Sequence, residues 1–165
     1  MTRHFIFNNY WWLGLLFGGV AAKLAYCLGG KDRIGLVGAA IAGTLGFYYF
    51  VQQQKLAETR LFHELFTDFN ARYDKLNDGL AEIANQSGEL LNKDRHLIVD
   101  YFNLCAEEHL FYKEGYIHPD AWQAWCRGML WYLNQCRFRD VWNDEIEAES
   151  FYGLSFDIIK QGAVE

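Results

Sequence analysis

A chain of 165 residues is one domain's worth of material, and its net charge of −6, with Lys and Arg scattered among the acids, disfavours a nucleic-acid-binding surface. Hydrophobic residues make up 52% of the chain while its mean hydropathy is −0.13, so the apolar residues must be concentrated in one part of it. The single proline, Pro119, suits long uninterrupted helices, and the expected fold is all-α.

Residues 1–9 form a short, mildly basic cap carrying Arg3 and His4, and Tyr10-Trp11-Trp12 has the look of an aromatic belt at headgroup level. Two apolar runs follow, residues 10–28 and 34–51, separated only by Gly29-Gly30-Lys31-Asp32-Arg33. Each has the length a helix needs to cross a hydrocarbon core of ~30 Å at ~1.5 Å per residue. The expected organisation is a transmembrane hairpin over residues 1–52 and a helical cytoplasmic domain over residues 53–165. A signal peptide is opposed by Lys23, by the second span and by the lack of a small-x-small cleavage site. A lipobox at Leu24-Ala25-Tyr26-Cys27 is opposed by Tyr26, which stands where a small residue is required.

Gly14 and Gly18 form a GxxxG pair in the first run, and Gly35, Ala39, Ala42 and Gly46 make a strip of small residues in the second. Helices in lipid gain packing where small residues let backbones approach, so these positions predict tight association of the two helices, or of copies of the hairpin. Glycine is also common in membrane helices without such a role. Lys23 is the one charge inside either run, about 9 Å from the turn along a helix. It either snorkels to the headgroups or faces a wet interior between subunits. Arg3, Lys55 and Arg60 flank the outer ends against Lys31 and Arg33 in the turn, which favours cytoplasmic termini.

Beyond Gln52-Gln53-Gln54 the chain turns polar without a break, so the second span is expected to continue as a helix. Phe62, Phe66, Phe69, Tyr73, Leu76, Leu80 and Ile83 form a heptad seam, weakened locally by Gly79, that packs on the protein's own domain or on a partner subunit. After a break at residues 85–88, a helix is predicted from Glu89 or Asn92 to Glu114, with Leu97, Tyr101, Leu104, Cys105 and Phe111 on one face and Gly115 at its end. Pro119 opens the next helix, which carries Trp122, Trp125, Met129, Leu130 and Leu133, then Phe138, Val141 and Trp142 in a continuation or a short fourth helix. An acidic stretch at residues 143–149 ends it, and Ser155 can cap a last helix over residues 156–161.

Cys27, Cys105, Cys126 and Cys136 show neither a CxxC pair nor zinc-like spacing, so free and mostly buried thiols are expected. A Cys126–Cys136 disulfide is the alternative for a periplasmic domain. No P-loop, GxGxxG, GxSxG or HExxH motif is present, so neither a catalytic site nor a cofactor or metal is expected. Glu107-Glu108-His109 and His63-Glu64 read as solvated helix faces. The aromatic density after residue 100 exceeds what a small core readily hides. Trp122, Trp125, Trp131 and Trp142, with Arg137, could therefore form a partner-binding surface, or the rings could simply fill the core.

The strings Phe-Asn-Leu-Cys-Ala, Lys-Glu-Gly-Tyr-Ile-His-Pro-Asp-Ala-Trp and Phe-Arg-Asp-Val-Trp within residues 102–142 resemble a group of bacterial domains of unknown function, in which a membrane hairpin precedes a small helical domain. The stretch at residues 60–74 is similar to the same group. The architecture also resembles membrane effectors of anti-phage systems such as retrons. That likeness implies an oligomeric bacterial inner-membrane protein that perturbs the bilayer when released by a cytoplasmic partner. A static membrane anchor that docks a partner protein is the alternative.

Overall fold

The computed structural model describes residues 2–28, 30–146 and 151–164, with side chains from Trp11 onward except those of Leu13 and Leu28. The basic cap at residues 1–9 and Tyr10 of the aromatic belt therefore have side chains outside the described residues, as does the end of the acidic stretch, residues 147–149. All regular structure among the described residues is helical: α1 (Thr2–Leu28), α2 (Arg33–Asn85), α3 (Asn92–Lys113), α4 (Pro119–Leu133), α5 (Cys136–Ile146) and α6 (Phe156–Val164). A single 3₁₀ turn, Gly30–Asp32, joins α1 to α2. The chain divides into two compact units, Met1–Arg60 and Leu61–Glu165.

In the N-terminal unit the chain reverses at Gly30, whose φ of +51° lies in the region that glycine enters without a Cβ penalty. α1 then packs antiparallel on the first half of α2. A Cβ at Gly14 would lie 2.5 Å from Tyr48 Cζ and one at Gly18 2.6 Å from Thr44 Oγ1, so both glycines are required for the approach. The Tyr48 hydroxyl donates to the Trp11 carbonyl at 2.7 Å and its ring meets that of Trp11 at 5.3 Å. Among the described residues one helix, Gly30–Asn85, is long and apolar enough to cross a membrane. In α1 a shorter apolar stretch, Gly14–Cys27, lies among the described residues, so one of the two expected spans is matched by a helix of full apolar length.

In the C-terminal unit α3 is the central element. Tyr101, Phe102, Leu104, Cys105, Ala106, Glu108 and His109 are all buried, because α2, α4 and α5 cover α3 from several sides. The α2 seam packs on the chain's own domain: Phe69, Leu80 and Ile83 are core residues, and Phe69 meets Phe111 and Trp125 edge-on at 5.7 and 5.8 Å. Gly79 has a role that the heptad pattern hid, since a Cβ there would approach Leu97 Cδ1 to 2.8 Å. α6 lies against α4 just as closely, a Cβ at Gly162 falling 2.7 Å from Cys126 Sγ and 2.8 Å from Trp122 Nε1.

The helix ends follow local chemistry. α3 closes in a Schellman motif, with Tyr116 N–H bonded to Phe111 O, Gly115 N–H to Tyr112 O, and φ of +81° at Gly115. Pro119 occupies the first turn of α4, where His118 caps by accepting from Asp120 N–H through Nδ1 at 3.2 Å. Ser155 Oγ accepts from Ile158 N–H at 3.3 Å and starts α6. The Arg139 side chain donates to the Leu133 carbonyl at 2.9 Å, satisfying an orphan acceptor at the end of α4.

Candidate functional site

Two features carry functional interest, one in each unit. On α2 of the N-terminal unit, at about 100° per residue, Gly35, Ala39, Ala42 and Gly46 fall within a sector of about 60°. Thr44, Tyr48 and Val51, the residues turned toward α1 or buried, fall on the opposite side. A Cβ built at Gly35, Gly38, Gly43 or Gly46 meets nothing within 4 Å, and Ala39 and Ala42 are exposed. The small residues of the two helices thus have different assignments within one chain. Gly14 and Gly18, with Ala21 and Ala25 half-buried in line with them, face α2, while the α2 strip faces outward.

The rest of the hairpin surface is apolar and uncovered, with Phe17 79% and Ile34 90% exposed. Lys23 is exposed on the side of α1 away from Gly14 and Gly18, and near the turn the Arg33 guanidinium sits over the Tyr26 ring at 5.2 Å.

The aromatic residues of the C-terminal unit are mostly interior, which corrects part of the expected partner surface. Trp122 and Trp142 are core residues, stacked on Tyr112 at 4.9 Å and Phe151 at 5.0 Å respectively. Trp125 is half-buried between Phe66 and Phe69, whereas Trp131 stands 57% exposed beside Tyr132. Arg137 donates to the Gly88 carbonyl and ties down the loop between α2 and α3. None of the four cysteines forms a disulfide; Cys105 and Cys126 are buried and Cys27 and Cys136 exposed, where mostly buried thiols were expected.

Sequence reasoning placed Glu108 and His109 on a solvated face, and the structure places both inside. Charged residue types default to the surface, and only the coverage of α3 by its neighbours reverses that here. Glu108 is 6% exposed and lines a cavity of 240 Å³ with Asn70 and Tyr73 of α2, Tyr101 of α3, and Trp125 and Met129 of α4. Ala124 and Gly128, one turn apart on α4, keep that wall low.

Burial dominates the electrostatics of this region. It raises the Glu108 carboxyl to about 8, against a smaller opposing pull from Arg72 and a smaller push from Glu107. Arg72 is itself engaged, donating to both carboxylate oxygens of Glu107 at 2.5 and 3.0 Å, with Asp68 3.8 Å away. Burial also pushes the Tyr101 hydroxyl and the Cys105 thiol well above their ordinary values, so Cys105 is a neutral thiol rather than a nucleophile. His109 is held below its usual value by burial and then by Lys113, and its Nδ1 has no hydrogen-bond partner. Among the described residues no group of three or more His, Cys, Asp or Glu is arranged to hold a metal ion.

The chain is thus a helical protein with an apolar N-terminal helical unit and a bundle that buries Glu108; no family model, curated protein or solved structure matches it.

Proposed function

We propose that this protein is a bacterial inner-membrane effector whose hairpin spans the bilayer with both termini cytoplasmic, and whose copies associate through Gly35, Ala39, Ala42 and Gly46 to perturb the membrane. The observation that carries this reading is the α2 strip, which faces away from α1 on a hairpin otherwise covered with exposed apolar side chains. In water such a surface would be an aggregation liability, and in lipid it is ordinary. A strip of glycine and alanine is more than a lipid-facing surface needs and is what close approach of a second helix requires.

Lys23 fits the same picture. On the far side of α1 from α2 it faces either a neighbouring copy or, by snorkelling, the headgroups. Anti-phage defence as the setting rests on the resemblance to retron-type effectors, in which a cytoplasmic partner restrains the membrane protein. The exposed Trp131 favours a second reading, a static anchor that docks a partner through the C-terminal unit.

The two readings separate on one substitution. Induced expression in bacteria with a membrane-potential dye is expected to show depolarisation by the wild-type chain, and Ala42→Leu is expected to reduce it at least tenfold at equal protein level. Wild-type depolarisation that survives Ala42→Leu would sink assembly through the strip. No depolarisation by the full chain, with or without its partner, would leave the anchor.

A further inference from the structure

The Glu108 cavity lies wholly within the C-terminal unit and plays no part in the proposed membrane event. Its Glu108 carboxyl is 6% exposed and lines the cavity. Ionising a carboxyl so deeply buried is costly unless a positive charge meets it, and the open space beside it is where such a charge can sit. The remaining wall is aromatic and soft: Tyr73 and Tyr101, whose rings are 6.1 Å apart, with Trp125 and Met129.

Aromatic rings attract cations through the negative charge of their faces, and Trp is the strongest of them. An anion would meet both the rings and Glu108. The nearest cation of the protein, Arg72, is held by Glu107 and Asp68 and so leaves Glu108 without a counter-ion. One carboxylate among several aromatic rings in a cavity of 240 Å³ matches a compact positive charge with an alkyl body.

We infer that the cavity bounded by Glu108, Tyr73, Tyr101 and Trp125 is a binding site for a small organic ammonium ion. The cation sits against the rings, and Glu108 supplies the opposing charge as its carboxylate. Because Glu108 holds a proton up to about pH 8 in the empty site, binding below that pH expels one proton to solvent. The groups that face Glu108 are Arg72 and Tyr73 on α2 and Tyr101, Cys105 and Glu107 on α3, while α4 contributes only uncharged side chains to the wall. Glu108 is therefore the group whose charge changes across neutral pH, and affinity should rise about tenfold per pH unit up to pH 8 and level off above it.

The test uses the full chain in maltoside micelles, which carry no ammonium, titrated with choline and with n-butylammonium by calorimetry at several pH values. 3,3-Dimethyl-1-butanol, the uncharged isostere of choline, serves as the control. Saturable binding of either cation is expected, with proton release at pH 7 and at least tenfold weaker binding of the alcohol. Glu108→Gln should abolish cation binding while the protein stays folded. Gly128→Leu adds a side chain where a Cβ meets no atom within 4 Å and should obstruct the cavity without disturbing Glu108. Equal binding of the alcohol, wild-type affinity in Glu108→Gln, or no binding of either cation would overturn the assignment. None of these results depends on membrane depolarisation, so this inference and the proposed function fail separately.

Discussion

Glu108→Gln is expected to make the C-terminal unit more stable than wild type at pH 8 and to leave it about equal at pH 4. The Glu108 carboxyl is raised from 4.5 to about 8 in the folded chain by burial. Between those values the unfolded chain has lost the proton that the folded chain keeps, so the folded state binds more protons and stability falls as pH rises. The full stabilising effect is present below the unfolded value and is gone above the folded one. Each pH unit in that window costs about 1.4 kcal/mol, giving a penalty of order 3 kcal/mol at pH 7. Glutamine keeps the shape of a protonated glutamate and never ionises, so it removes the penalty.

His109 works in the opposite direction. Its depressed value stabilises the folded state above the ordinary histidine range, and that contribution is lost as pH falls. The difference in melting temperature between wild type and Glu108→Gln cancels this term. Circular dichroism melts at half-unit steps from pH 4 to 9 should show that difference growing with pH and levelling near 8. A difference independent of pH would refute the buried, protonated state of Glu108.

Phe102→Ala is expected to destabilise the C-terminal unit by about 3–5 kcal/mol, the range for deleting a fully buried ring. Phe102 is 0% exposed, and its ring meets Trp142 edge-on at 4.9 Å, Tyr101 at 5.5 Å and Phe151 at 6.2 Å. It therefore joins α3 to α5 and to the loop that precedes α6. Removing it leaves a void walled by large rings that cannot collapse without giving up their contacts with one another. A loss of that size approaches the whole stability of an ordinary domain of about 5–15 kcal/mol. Urea titration followed by tryptophan fluorescence reads it directly, and a cost below about 1 kcal/mol would mean that Phe102 is not central to the core.

Much of this fold was written in local patterns. α3 ends at Gly115 and α4 begins at Pro119 as their positions suggested, Ser155 starts the last helix, and Phe138, Val141 and Trp142 fall on a separate short helix, α5. The α2 seam was legible because apolar residues recurred at helical spacing. What could not be read was coverage. Trp122 and Trp142 are interior and Trp131 is not, although all three are tryptophans in one stretch, because burial depends on which face of α4 and α5 meets α3 and α6. Glu108 followed from nothing in its own neighbourhood, since Glu107 one residue earlier forms an ordinary ion pair with Arg72. The nearest signal was the run Tyr101 to Ala106, apolar at nearly every position except Asn103, which marks a helix surrounded on several sides rather than one with a single buried stripe. The hairpin glycines showed the same limit. Spacing identified Gly14 and Gly18 alongside the α2 strip, and only the register of α1 on α2 separated the inward pair from the outward strip.

The most direct test of assembly through that outward strip is disulfide trapping in native membranes. The exposed thiols Cys27 and Cys136 would be replaced by serine, and single cysteines introduced at Ala42 and, as a control about 100° around the helix, at Ile41. A disulfide needs Cα atoms within about 7 Å, a separation reached only where two copies of α2 touch. Mild oxidation is expected to convert most of Ala42→Cys to a covalent dimer and to leave Ile41→Cys monomeric. An Ala42→Cys chain that stays monomeric, or an Ile41→Cys chain that cross-links as readily, would contradict the account.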